Sequence, residues 1–157
     1  MRSKFRVAAL LFILSVVFVS CDKGVVADMY QHIDNSIWTW DDVRSFAFNI
    51  EDTDLQHDIL IQLRHTTDYP MSNLYIFVEI TGPSGQSLRD TINYILAEPN
   101  GEWIGKGNGH LRELRYMYRD HTSFPEPGTY SISLEQAMRE PRLPVSDIGV
   151  RIEKITL

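Results

Sequence analysis

Leu74-Tyr75-Ile76-Phe77-Val78-Glu79-Ile80 places an aliphatic side chain at every second position, and the reading of this stretch decides the fold. Side chains of an extended strand point alternately to opposite faces, so a period of two marks a strand as a period near 3.6 marks a helix. Leu74, Ile76, Val78 and Ile80 therefore predict one face turned into the main core. Tyr75 and Phe77 occupy the other face, which predicts a central strand covered on both sides.

The same period recurs outward from this stretch. Gly82-Pro83-Ser84-Gly85 is a strong turn signal, and beyond it Ile92, Tyr94 and Leu96 alternate. On the other side, Asp68-Tyr69-Pro70-Met71-Ser72 is a turn in which Pro70 fixes φ. Before it come Ile59, Ile61 and Leu63, then Phe46, Phe48 and Ile50, then Trp38 and Trp40. Towards the C-terminus the alternating sets are Leu114, Tyr116 and Tyr118; Tyr130, Ile132 and Leu134; and Ile148, Val150 and Ile152. Gln136-Ala137-Met138-Arg139-Glu140 predicts one helical turn before Pro141. About eight or nine short strands with regularly spaced turns predict an all-β fold, a single antiparallel β-sandwich, jelly-roll-like or immunoglobulin-like.

The N-terminus reads differently. Arg2, Lys4 and Arg6 precede an apolar run from Val7 to Val19 that closes on Ser20-Cys21-Asp22. Basic, then apolar, then small is the layout of a secretory signal peptide. The thirteen residues of the run would span about 20 Å as a helix, short of the ~30 Å hydrocarbon core. The residue after Ser20 is the chain's one cysteine, so Phe18-Val19-Ser20-Cys21 reads as a lipoprotein signal. It predicts a cleaved segment over 1–20, acyl chains on Cys21, a lipidated tether over 21–29 and a sandwich over 30–157. The membrane is then a partner through that lipid, and the location is the cell envelope. A single acyl chain anchors marginally, whereas several hold stably.

Removing Arg2, Lys4 and Arg6 takes the net charge from −6 to −9. An acidic domain without a basic run is a poor ligand for polyanions, so nucleic acid is not expected as a partner. With Cys21 acylated no thiol remains for a disulfide, a thiolate metal site or a cysteine nucleophile. His32, His57, His65, His110 and His121 show neither an i, i+4 pair nor an x-His-x-His alternation, and no metal site is expected. No Gly-x-Ser-x-Gly elbow occurs. Gly101 to Gly109 resembles a phosphate loop at a glance, but its spacing fits neither the P-loop nor the dinucleotide fingerprint. Neither catalytic residue nor cofactor is expected. Bare backbone at Gly105, Gly107 and Gly109 suits close approach by a neighbouring segment or an aromatic ring, and Trp103 is expected to pack into the sandwich.

Several segments in order carry a family likeness: Leu63-Arg64-His65, Tyr69-Pro70-Met71-Ser72-Asn73, Asp90-Thr91-Ile92, Gly101-Glu102-Trp103-Ile104-Gly105, Gly128-Thr129-Tyr130, Glu135 to Arg139 and Asp147 to Ile152. Together with the lipoprotein signal they resemble the gliding-motility lipoproteins of the GldH type from Bacteroidota. The resemblance implies a non-enzymatic component of the gliding or envelope machinery that works through envelope protein partners. A second expectation is a glycan-binding module on the same fold. The candidate binding residues are Trp103, Tyr116 and Tyr118, whose rings could stack on sugars, joined by Tyr69 and Asn73.

Overall fold

The computed structural model describes residues 24–155; Cys21 and the expected signal peptide lie outside the described residues. Ten strands run in chain order: β1 Val25–His32, β2 Trp38–Thr39, β3 Arg44–Ile50, β4 Gln56–Thr66, β5 Asn73–Thr81, β6 Ser87–Ile95, β7 Leu111–Ser123, β8 Gly128–Gln136, β9 Arg142–Leu143 and β10 Val145–Lys154. They form two four-stranded sheets, β1-β10-β4-β7 and β3-β8-β5-β6, with a small β2-β9 ribbon. Every pairing is antiparallel.

The pairing is nested. β5 pairs with β6, β4 with β7, β3 with β8, β2 with β9 and β1 with β10, as in one long hairpin whose tip is the turn at 82–86. Two lateral pairings, β10 with β4 and β5 with β8, fold this hairpin into a sandwich. That is the jelly-roll wrapping, the first of the two expected topologies.

The alternation seen in the sequence fills the core. Leu74, Ile76 and Val78 of β5 are fully buried, as are Ile59, Ile61 and Leu63 of β4, Ile132 and Leu134 of β8, and Ile148, Val150 and Ile152 of β10. Phe46, Phe48 and Ile50 of β3 join them. Gly149 shows why β10 accepts β1 so closely: a Cβ there would lie 2.3 Å from the Met29 carbonyl oxygen and 3.0 Å from the Tyr30 ring.

Four expectations are corrected. β1 begins at Val25, so residues 25–29, expected in the tether, are paired with β10. β5 is central but covered on one face, since Tyr75 of the opposite face is 41% exposed. Trp38 and Trp40 do not share a face: Trp38 is core, but the chain turns at Trp40, which is 49% exposed. Residues 137–140 form a bend rather than a helical turn. There the Gln136 side chain accepts the Met138 N–H at 2.9 Å and donates to the Glu140 carbonyl at 3.1 Å. A side chain that occupies these backbone groups competes with the helical pattern.

Connectivity defines two poles. The near pole holds the start of β1, the end of β10 and the loops 51–55, 82–86 and 124–127. There Lys154 N–H donates to the Gly24 carbonyl at 2.6 Å, and Phe48, Phe124 and Tyr130 pack edge-on and stacked on one another, with His57 edge-on to Phe124. The distal pole holds the segments 33–43, 67–72, 96–110 and 137–144.

Candidate functional site

The distal pole gathers three of the five candidate binding residues. Tyr69 is buried after the end of β4, and its hydroxyl donates to the Asn73 carbonyl at 3.0 Å. That bond closes the 67–72 turn onto the start of β5. Burial pushes the Tyr69 phenol above its ordinary pKa. Asn73 donates from Nδ2 to Asn93 Oδ1 at 2.7 Å across β5 and β6. Trp103 is half-buried, packed on the core with its ring centroid 4.6 Å from His65 in an edge-on contact. Ile104 N–H donates to the Leu96 carbonyl at 2.9 Å, which fixes the segment carrying Trp103 against the end of β6.

His65, which carried no role in the sequence reading beyond its motif, sits at the centre of this arrangement. It is fully buried, with Tyr69 at 5.5 Å and Trp103 at 4.6 Å between ring centroids. A carbonyl accepts, so the contact of His65 Nδ1 with the Thr66 carbonyl at 2.9 Å makes Nδ1 the protonated nitrogen. Nε2 is then a lone pair with no protein partner among the described residues. Burial, and after it the Arg112 charge, hold the ring's pKa below the ordinary histidine value.

Two shallow depressions open on this pole. Tyr69, Pro70, Ile95, Glu98 and Trp103 line the first; Asn73, Tyr75, Met138 and Arg139 line the second; Met71 lines both. Trp40 reaches the second through its indole N–H, which donates to the Met138 carbonyl at 2.8 Å. Met138 turns its sulfur to the Tyr75 N–H at 3.1 Å, capping the end of the β5–β8 ladder. The result is a mostly apolar surface built from two methionines, four aromatic rings and the exposed Ile95. Methionine suits such a surface because its unbranched, polarisable side chain adapts to different partners. Met71, Met138 and Tyr75 escaped the sequence reading as contact residues, since they come from three separate segments.

Tyr116 and Tyr118 lie elsewhere, on the flank where β7 faces β6. Tyr116 stacks on Tyr94 at 4.2 Å, and its hydroxyl donates to the Ile95 carbonyl. Tyr118 donates to Asp90 at 2.6 Å, beside Arg119, which meets the same carboxylate at 2.7 Å. The tyrosine and arginine bonds hold Asp90 below the ordinary carboxylate pKa, and burial pushes the Tyr118 phenol up to about 12. Trp103 therefore shares its depression with Tyr69, whereas Tyr116 lines a different one with Lys106 and Arg115. The three rings form no common sugar platform, and the glycan reading gains no support from them.

The glycine-rich stretch before β7 makes room for chain, not for the Trp103 ring. A Cβ on Gly105 would lie 2.7 Å from Leu114 Cδ1, and one on Gly107 2.2 Å from the Leu111 carbonyl oxygen. Lys106 and Glu113 exchange both backbone hydrogen bonds at 2.7 and 3.0 Å. The bare backbone lets this segment lie directly on the start of β7. Among the described residues no cluster of three or more His, Cys, Asp or Glu is placed to hold a metal ion.

The family described as GldH lipoprotein matches residues 25–152, a span that takes in both poles. A protein named gliding motility lipoprotein GldH homolog, from Christiangramia forsetii, is 36% identical, with 98% of each chain covered. Gliding motility lipoprotein GldH from Flavobacterium johnsoniae is 30% identical, covering 96% of this chain and 98% of that one. Among solved structures, one of infectious bursal disease virus covers 84% of this chain and 41% of that chain, with a TM-score of 0.23 and 10% identity, too slight a likeness to carry an argument. No helix among the described residues is long and apolar enough to cross a membrane. On the family match and the two near full-length relatives, this chain belongs to the GldH family of gliding-motility lipoproteins.

Proposed function

We propose that the chain is a non-enzymatic, lipid-anchored component of the gliding or envelope machinery that works by protein contact through its distal pole. The observation that carries this reading is the gathering of Met71, Met138, Trp40, Tyr75 and Trp103 at the pole remote from the N-terminus. An apolar surface rimmed by polar groups such as Asn73, Glu98 and Arg139 suits a protein partner. Acylation on Cys21 would complete the geometry. Gly24 is three residues beyond Cys21, and three extended residues reach at most ~11 Å. The near pole would then sit at the membrane surface, with the distal pole presented roughly 30 Å away, the length of a ten-residue strand.

Two measurements in cells test this reading. Mass spectrometry of the mature protein is expected to find Cys21 as an acylated first residue, and Cys21→Ser to release the protein from membranes. A retained Met1 segment refutes the anchor. A photoreactive residue at Tyr75 is expected to give a discrete protein adduct, whereas one at Asp54 of the near pole gives none. Equal adducts at both poles, or an adduct at Asp54 alone, refute the distal contact.

A further inference from the structure

The outer edge of β6 presents an open backbone ladder. Leu96 N–H donates to the Ser72 carbonyl at 2.7 Å, so Ser72 and Leu96 form a hydrogen-bonded pair just beyond the β5–β6 ladder. Bonded and non-bonded pairs alternate along an antiparallel ladder. In this register Leu74↔Tyr94, Ile76↔Ile92 and Val78↔Asp90 are the bonded pairs, and Tyr75↔Asn93, Phe77↔Thr91 and Glu79↔Arg89 are the non-bonded ones. The N–H and C=O groups of Arg89, Thr91 and Asn93 therefore point away from β5, towards the open edge. Two bonds agree with this phase. On the β8 side, Ala137 N–H donates to the Tyr75 carbonyl at 2.8 Å. On the open side, the Ile95 carbonyl, next in the outward series, accepts the Tyr116 hydroxyl. The outward groups of Arg89, Thr91 and Asn93 have no backbone partner among the described residues.

The other three edges are protected. β1 is bulged between Val25 and Ala27, and β7 pairs with β4 through register shifts at His57/Ile59 and Ile59/Leu60. β1 and β3 close on one another, with Gln31 Nε2 donating to the Ser45 carbonyl at 2.8 Å and Arg44 donating to the His32 carbonyl at 3.1 Å. β6 pairs over its whole length without a shift and contains neither proline nor lysine; its two charged residues, Arg89 and Asp90, are engaged in ion pairs within the sandwich.

We propose that β6 binds an extended, uncharged segment of a protein partner by strand addition, the segment completing the sheet as its fifth strand. Only another extended backbone supplies donors and acceptors at the spacing of the outward groups of Arg89, Thr91 and Asn93. The charges along the edge are already compensated. Arg89 holds Glu79 at 3.4 Å and Glu135 at 2.8 Å, and Asp90 holds Arg119 and Tyr118. A charged incoming residue gains no ion pair there, whereas threonine or valine matches Thr91 as a cross-strand neighbour. A second copy fits less well. Antiparallel pairing of β6 with itself reverses the strand direction and sends the two N-termini to opposite poles, which conflicts with anchoring both chains in one membrane. This last step alone rests on the Cys21 anchor; the open ladder does not.

The test uses the purified protein in detergent and, as probe, an end-blocked heptapeptide of alternating threonine and valine. Amide exchange followed by NMR is expected to slow about tenfold or more at Arg89, Thr91 and Asn93 when the peptide saturates the protein. Thr91→Ala is expected to bind the peptide as the parent does, because the side chain is not what is recognised. Thr91→Pro is expected to abolish the slowing with little change in melting temperature, since its lost N–H faces solvent on an edge strand. Asn93→Pro serves as a second variant should the first fail to fold. No slowing at millimolar peptide, or slowing that persists in both proline variants, overturns the proposal. A monomer–dimer equilibrium abolished by Thr91→Pro overturns it too, and assigns the edge to a second copy.

Discussion

Each pole of the sandwich is built around a buried histidine of β4 and aromatic rings, yet the two ends differ. At the near pole His57 lies 5.3 Å from Phe124, and Phe124 in turn packs on Phe48 and Tyr130. All of these rings are buried and the loops around them are short. At the distal pole His65 is as deeply buried, but its neighbour Trp103 is only partly buried and lines a surface depression. One end is sealed, and the other brings its core to the surface. A core that surfaces at one end supplies apolar contact area without a separate binding loop.

The largest expected effect tests the seal. Phe124→Ala removes a buried ring from the near pole and is expected to cost ~3–5 kcal/mol in urea unfolding. Trp103→Ala removes a ring that is only partly buried, and a smaller loss, about 2–3 kcal/mol, is expected. Equal losses would mean that the distal pole is as closed as the near one, and the contrast would fail.

A smaller effect comes with pH. Burial holds His57 and His65 neutral, with Lys154 and Arg112 respectively adding to the depression. The unfolded chain takes up protons on these rings near pH 6.5. Below that value the unfolded state binds more protons than the folded one. The stability from the neutral rings is therefore present above about pH 6.5 and lost as the pH falls below it. Urea midpoints between pH 7.5 and 5 are expected to decline, and His57→Gln and His65→Gln should each flatten part of the slope. Unchanged slopes in both variants would show that the rings are not held apart from water.

The smallest effect on stability sharpens the functional side of the comparison. Trp40→Ala, at an exposed ring on the distal rim, is expected to shift stability by about 0.5 kcal/mol or less. The same variant should weaken the adduct formed from Tyr75 in cells. A large stability loss with an unchanged adduct would make Trp40 a structural residue.

The strands were legible because their signal is local. Ile59, Ile61 and Leu63, or Tyr130, Ile132 and Leu134, announce their face within five residues. β1 escaped because the bulge between Val25 and Ala27 breaks its alternation where it starts. Residues 137–140 carry helix-forming side chains, but the Gln136 amide takes the backbone groups that a helix would use. Trp103 could be singled out by its glycine-flanked motif, although those glycines serve the start of β7 rather than its ring. Met71 and Met138 could not be paired from sequence. Their meeting depends on β5 lying beside β8, a lateral pairing outside the reach of any short pattern.

The nested pairing also bears on the order in which the molecule is made. β5 and β6 are joined by the turn at 82–86 and can pair first, whereas β1 has only β10 as its partner. The first strand synthesised thus waits for the last, and the contact order is high, which places folding in the slow range of all-β domains, milliseconds to seconds. A circular permutant that joins residue 155 to residue 24 and opens the chain at 82–86 should refold faster than the parent if closure of β1 on β10 limits the rate. A strand whose one partner is made last stays unpaired throughout synthesis, so the sandwich closes only once β10 is available.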